Sequence, residues 1–340
     1  AAGAEGGVLG MAQQDAIKVF CRNCHAKLDV TDLEPFSHVE CPECGTVLRV
    51  PKRFDRYLLE KVCGIGGMSK VYRALEPELA RRVAVKILNE ESEENDGGRR
   101  FLEEAKLVAK INHPGVIPIY NCGVAEGRPF LVMRYMENGS VEELLRRDGL
   151  ADVSMTAGWM ANIAEGLEFA LRQQSVVHHD IKPGNILLTS EWEAKLGDFD
   201  LADVRETGDA LTLCDGWASP GYVSPERLLY GGEDYRGDIF SLGVTIYEAM
   251  TKLVPFGVKG TPEELLDRRA NPHYPELCKV NKQVTPEFSA LVGRMLSYLP
   301  EQRPEYREII AGLKLAAVPE TEGKDEGEGL VRKLSGWFRR

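Results

Sequence analysis

No apolar run in this sequence approaches the ~18 to 20 residues needed to cross a bilayer. Positive charge is in deficit too: 42 basic residues face 53 acidic ones, a formal net charge of −11. That balance supplies no global attraction to nucleic acid or to anionic lipid. The opening stretch "AAGAEGGVLG" has neither a basic start nor an apolar core, so it does not read as a secretory signal. Residues 1–15 read instead as a flexible leader, with Met11 as a more natural start. With nothing to suggest secretion, a disulfide framework is not expected of the eight cysteines, and a reducing cytoplasm is the expected location. No internal repeat is apparent. What remains is a soluble, globular composition, 43% hydrophobic and 28% charged, long enough for one large domain or two to three smaller ones.

Four of the cysteines are paired, Cys21 with Cys24 and Cys41 with Cys44, with sixteen residues between the pairs. Two Cys-x-x-Cys knuckles at this spacing present four thiolates for a tetrahedral structural zinc. Gly45 suits the sharp turn after the second pair. A redox Cys-x-x-Cys needs a thioredoxin-like βαβ setting, which is absent. His25 and His38 could substitute as ligands but read more simply as surface histidines. Residues 16–53 form a unit too small to fold on its core alone, so the metal supplies much of its folding energy. With six basic and six acidic residues, segment 15–53 gives nucleic-acid binding no support. "CRNCHAKLDV…CPECGTVLRVP" resembles a zinc ribbon, which implies a small β domain holding structural Zn²⁺.

From Phe54 the pattern changes. "YLLEKVCGIGGMSKVYRALE" suggests two strands around a glycine turn, "RRVAVKIL" a third and "RPFLVMRYM" another. "GGRRFLEEAKLVAKI" places Phe101, Leu102, Ala105, Leu107, Val108 and Ile111 as an amphipathic helix would. Beyond about residue 140 helices are expected at 141–147, 154–173, 237–251, 262–270, 286–297 and 305–315. The end, 316–340, reads as an acidic linker ("PETEGKDEGE") followed by a basic amphipathic tail ("LVRKLSGWFRR").

Four polar signals follow in order. Gly64, Gly66 and Gly67 with Ser69 form a glycine-rich turn whose backbone can approach phosphates. Lys86 ends "VAVK". "VVHHDIKPGNILL" holds Asp180, Lys182 and Asn185. "GDFDLAD" places Asp198 thirteen residues after Asn185. Each alone is weak: a glycine-rich hairpin is commoner than a phosphate loop, and a strand lysine usually faces solvent. In this order, with "SPGYVSPE", "DIFSLGVTIYEAMT" and "PEQRPE" following, they resemble the eukaryotic-like protein kinases over about residues 54–315, most nearly the bacterial serine/threonine kinases.

The resemblance implies an α+β, two-lobed protein-kinase fold behind the ribbon, with a β-rich N-lobe at 54–136 and a helical C-lobe at 137–315. It implies Mg-ATP (or Mn-ATP) as cosubstrate and protein serine or threonine hydroxyls as acceptors. Lys86 would contact the α- and β-phosphates, and Glu104 would orient it, Glu103 being the alternative. Asp180 would accept the acceptor's proton, Lys182 would neutralise the γ-phosphate, and Asn185 and Asp198 would hold Mg²⁺. Val71, Ala84 and Leu187 would line the adenine site, with Met133 behind it and Arg134, Tyr135 and Met136 as hinge. Asp238 would tie down the catalytic loop, Arg303 would pair with Glu226, and Ser219 would take the place usually given to threonine. Three positions depart from the family pattern: Ser69 for the third glycine, His179 for an arginine, and Asp200 for a glycine. They keep a second class open, a pseudokinase acting as a nucleotide-binding scaffold. A homodimer, a protein partner for the ribbon and membrane contact by the tail also stay open.

Overall fold

The computed structural model describes residues 16–89, 97–150, 152–199 and 219–318, with the backbone of 203–204. The leader, Asp200, Thr207, Thr212 and the tail from residue 319 lie outside the described residues. The chain divides into two compact units. One takes in the described chain up to Ser140 and the short strands between 176 and 204. The other takes in most of the helices.

The first unit begins with two small antiparallel hairpins: β1 (Lys18–Phe20) with β2 (Lys27–Asp29), and β3 (His38–Glu40) with β4 (Val47–Arg49). They are two copies of one device, an internal repeat that reading along the sequence does not reveal. "VFCRNCHAKLDV" and "VECPECGTVLRV" align at a fixed offset through Val19/Val39, both cysteine pairs, Leu28/Leu48 and Val30/Val50. The backbone bonds repeat as well. Cys21 N–H donates to the Ala26 carbonyl and His25 N–H to that of Cys21; Cys41 donates to Thr46 and Gly45 to Cys41. His25 and Gly45 both sit at positive φ, +60° and +71°. Only five identities, two of them cysteines every ribbon needs, carry the repeat, so sequence pattern alone is too sparse to show it. The core between the hairpins is Leu28, Val30, Leu48 and Val50 packed on the buried Cys21 and Cys41.

A six-stranded antiparallel sheet follows, in the order β5-β6-β7-β8-β10-β9. Its strands are β5 (Lys52–Phe54), β6 (Tyr57–Ile65), β7 (Ser69–Glu76), β8 (Arg81–Leu88), β9 (Ile119–Ala125) and β10 (Arg128–Arg134). Alternation sets its faces. Tyr57 and Leu59, Ala74, Val83, Val85 and Ile87, and Phe130 and Val132 all turn to one side as a single buried cluster. Each such aliphatic or aromatic side chain stabilises the fold by about 1.5–3 kcal/mol. Ala84, Lys86 and Leu88 therefore face the other way. There Leu88 and Leu131 pack against Phe101 and Ala105 of helix α1 (Gly97–Val108). Two further antiparallel pairs complete the unit: β11 (Val176–Val177) with β14 (Asp203–Val204), and between them in the chain the hairpin of β12 (Ile186–Leu188) with β13 (Ala194–Leu196).

The helices are α2 (Val141–Arg147), α3 (Val153–Gln174), α4 (Pro225–Tyr230), α5 (Tyr235–Thr251), α6 (Pro262–Ala270), α7 (Leu277–Val280), α8 (Pro286–Met295) and α9 (Tyr306–Ala316). Three begin with the same local chemistry. Ser224, Thr261 and Thr285 cap α4, α6 and α8 through their side-chain oxygens, and a proline follows each cap. The missing proline N–H is one that a helix start leaves unpaired anyway. In α6 Glu264 completes a capping box with Thr261. Among the described residues no helix is long and apolar enough to cross a membrane.

Candidate functional site

The ribbon brings Cys21, Cys24, Cys41 and Cys44 together, with all four sulfurs within 4.8 Å of one another. Cys21 Sγ lies 3.5 Å from Cys44 Sγ, and Cys24 Sγ 3.5 Å from Cys41 Sγ. A tetrahedron with zinc–sulfur bonds of about 2.3 Å has edges of ~3.8 Å, so the cluster has the size zinc requires. Neither His25 nor His38 belongs to it. The backbone N–H groups of Cys24 and Asn23 hold the Cys21 thiol below its ordinary value. The Thr46 hydroxyl, with the Thr46 N–H, brings Cys44 down to about 5. Cys24 moves the other way, to about 12: the Ala26 N–H lowers it, but the Cys44 sulfur and burial outweigh that. Four adjacent thiolates repel one another, and a divalent cation is what lets all four carry charge at once.

In the same unit the β6–β7 hairpin carries the glycine turn. Gly66 N–H donates to the Ser69 carbonyl at 2.9 Å. Ser69 is buried and opens β7, paired with Leu88. The tip is also held from β8: Asn89 donates its N–H to the Met68 carbonyl (2.7 Å) and its side-chain amide to that of Gly67 (3.1 Å). Sequence reasoning passed over Asn89, because nothing local ties it to a turn twenty residues earlier.

Register then lines up the other predicted residues. Gly64 faces Val71, Val71 faces Lys86, and Ala84 faces Met133. Tyr135 and the buried Met136 follow β10, and Leu187 bridges to Ser140 just beyond them. Lys86 is only 5% exposed, and its ammonium lies 2.5 Å from Asp198 Oδ1. A buried lysine needs such a partner to offset its lost hydration. On α1, Glu104 is half-buried and falls on the stripe of Phe101, Ala105 and Val108, whereas Glu103 is exposed. That contrast favours Glu104 over Glu103.

Asn185 and Asp198 sit at neighbouring strand ends, because Ile186 pairs with Leu196 and Gly197 N–H donates to the Asn185 carbonyl. Asp198 has φ +61°. His178, which the motif reading did not single out, anchors this turn. Its Nε2 is 3.0 Å from the Gly197 carbonyl, and its ring packs on Phe199 with centroids 4.4 Å apart.

Asp180 and Lys182 belong to the second unit. Lys182 Nζ donates to Asp180 Oδ2 at 2.6 Å and to Ser219 Oγ at 2.9 Å, so one ammonium bridges the aspartate and the segment before α4. Downstream, Arg303 clasps Glu226 with both terminal nitrogens (2.6 and 2.7 Å) and donates to the Arg236 and Ser297 carbonyls. Asp238 is buried near the start of α5. Tyr222 donates to Glu248 at 2.6 Å, and burial raises the Glu248 carboxyl above its ordinary range.

Comparison with known proteins agrees with this geometry. A family model described as "Protein kinase domain" matches residues 57–312. The chain is 33% identical over 274 residues to the serine/threonine-protein kinase PknL of Mycobacterium tuberculosis, covering 78% of this chain and 66% of that protein. It is 30% identical over 256 residues to PknB of Mycolicibacterium smegmatis, covering 73% of this chain and 41% of that protein. The chain belongs to the protein kinase family. It spans less than two thirds of the length of these relatives.

Proposed function

We propose that the chain transfers the γ-phosphoryl group of Mg-ATP (or Mn-ATP) to serine or threonine hydroxyls of proteins. The observation that carries this reading is the Lys182 bridge, which places one cation on both Asp180 and Ser219. In phosphoryl transfer the acceptor oxygen forms a bond to the γ-phosphorus as the bond to the β,γ-bridging oxygen breaks, and ADP leaves. Negative charge spreads over the transferred group, so catalysis is positioning plus fixed positive charge. Asp180 orients the acceptor hydroxyl and takes its proton. Lys182 balances the γ-phosphate, while Lys86, steadied by Glu104, holds the α- and β-phosphates. Asn185 and Asp198 are the residues that would hold the divalent cation, whose chemistry is to neutralise charge on the phosphates. The glycine turn, Val71, Ala84, Met133, Tyr135, Met136 and Leu187 would seat the nucleotide.

The test is labelled ATP with Mg²⁺ and a generic basic protein, beside Asp180→Asn and Lys86→Met. Wild type is expected to label the acceptor at least about 10²-fold faster than Asp180→Asn, the usual worth of a positioned acid–base group. Equal labelling would establish the alternative, a pseudokinase that binds nucleotide without transfer.

A second element of the proposal concerns control. His179 is a buried imidazole where kinases of this pattern carry an arginine. A hydrogen bond to an always-charged guanidinium is worth about 1.5–3 kcal/mol, whereas imidazole is mostly neutral above its ordinary pKa of about 6.5. Activity is therefore expected not to require phosphate on Thr207 or Thr212. The double alanine variant should match phosphatase-treated wild type, and a loss beyond about tenfold that phosphorylation restores would refute this.

A further inference from the structure

The second unit contains a buried cation that the transfer mechanism above does not use. Arg269, on α6, is 1% exposed. Each of its three nitrogens donates to a carbonyl oxygen rather than to a carboxylate: Nε to Val223 (2.9 Å), Nη1 to Leu265 (2.8 Å) and Nη2 to Pro220 (2.8 Å). The rings of Phe240 and Phe256 face the guanidinium, 5.7 and 5.3 Å from their centroids. Burial, then the charge of Arg268, pulls its pKa down to about 10, so it is still charged at neutral pH. A buried charge left to carbonyl dipoles and aromatic faces is costly to keep, and packing alone would be better served by leucine or methionine.

What Arg269 holds is the segment that reaches the transfer chemistry. Pro220 and Val223 flank a turn closed by Tyr222 N–H on the Ser219 carbonyl. Between them the Tyr222 carbonyl accepts from Ser241 Oγ at 2.8 Å. Gly221 is wedged so that an added Cβ would lie 3.0 to 3.2 Å from Val258, Gly257 and Val254. Ser219, at the head of this turn, takes the Lys182 bond and so sets the ammonium beside Asp180.

We propose that Arg269 is a positioning residue for the phosphoacceptor: by clamping the Pro220 and Val223 carbonyls it fixes Ser219, and through Ser219 it fixes Lys182 against Asp180. This rests on the kinase reading above. A planar fork can meet carbonyls from three directions, while a lysine ammonium is a point charge and cannot span them.

The test uses the full chain, with wild type beside Asp180→Asn. Arg269→Lys should lower kcat/KM for a peptide acceptor about tenfold to hundredfold, the loss expected when a charged donor leaves a carbonyl. The dissociation constant of a fluorescent ATP analogue should stay within about twofold of wild type, since Arg269 bonds none of the nucleotide residues. Combining Arg269→Lys with Ser219→Ala should cost no more than the weaker single variant, because the two act in series. Ser241→Ala removes one donor from the same turn and should give a smaller acceptor-specific loss even if Arg269→Lys fails to fold. The proposal is overturned if Arg269→Lys or Ser241→Ala leaves acceptor kcat/KM unchanged. It is also overturned if nucleotide affinity, melting temperature and kcat all fall together, or if the Arg269 and Ser219 effects simply add. A wild type no more active than Asp180→Asn would overturn the kinase reading and this inference with it.

Discussion

The ribbon hairpins and the six-stranded sheet lie one after the other in the chain and are stabilised in opposite ways. The ribbon's buried aliphatics are Leu28, Val30, Leu48 and Val50, and its strands are three residues each. The sheet joins strands of up to nine residues over a cluster that includes Phe54, Tyr57 and Phe130. A core as small as the ribbon's does little to offset the conformational entropy of its own chain, so a metal held by the cysteine cluster is expected to supply the difference. The sheet needs no such help. Sequence proximity therefore says little about which part is expected to need a metal; the size of the apolar cluster is the guide.

One residue joins the two regimes. Phe36 adopts φ +68° and is tied to the ribbon at both ends: its N–H donates to the Val50 carbonyl (2.8 Å), and its own carbonyl accepts from Arg49 Nε (3.2 Å). Its ring nevertheless packs on the sheet's cluster, stacked on Tyr72 at 6.3 Å. Tyr72 is the neighbour of Val71 on β7, so the ribbon touches the opposite face of the strand that carries the glycine turn.

The contrast breaks most visibly at the metal. Structural zinc is worth about 10–16 kcal/mol of apparent folding free energy in small cysteine domains. Cys21→Ser, or a strong chelator, should release one zinc per chain and expose the amides of residues 16–50 to hydrogen exchange while those of β6 to β8 stay protected. Purified folded protein without zinc would refute the metal dependence of the ribbon, and sheet amides that open together with the ribbon would show that the two regions form one unit.

Next in size is the reverse experiment. Phe130→Ala removes a ring packed between Phe54 and Tyr57 and should cost about 3–5 kcal/mol. The melting transition of the sheet should fall sharply, while zinc content measured on the folded protein stays at one. Loss of zinc at the same temperature as the sheet would mean the metal site depends on the sheet.

The smallest effect belongs to the joint. Phe36→Ala deletes an aromatic pair worth about 0.5–1.5 kcal/mol beyond its buried area. Zinc should remain bound, and exchange should rise selectively in β7 around Tyr72. Unchanged exchange there would make the stacking incidental and the ribbon an independent appendage.

Much of this was legible beforehand because its signals are local. The paired cysteines needed only covalent spacing. The buried face of β8 follows from Val83, Val85 and Ile87 alternating with Ala84 and Lys86. The starts of α6 and α8 are written as Thr-Pro, whereas α4, which opens on Ser-Pro, was not among the expected helices because six residues are too few to show a helical period. The strand β9 was missed because "IYNCGVA" holds too few apolar residues on one face to register as a strand on its own.

By itself, then, the sequence determined the periodicities, the starts of the longer helices, the cysteine spacing and the ordered set of motifs, since each is carried by residues within a turn or two of one another. Only the tertiary structure decided which distant groups meet. Lys86 meets Asp198 across 112 positions and Arg269 meets Val223 across 46, whereas the Arg303–Glu226 pair, 77 positions apart, was already expected from the family resemblance. It also turned Phe36 onto Tyr72 and put the two cysteine hairpins into one repeated shape, while the half-burial of Glu104 agrees with the register that already favoured it over Glu103. The physical reason is the same in each case: these pairings depend on strand register and helix packing, which a side chain's sequence neighbours do not specify.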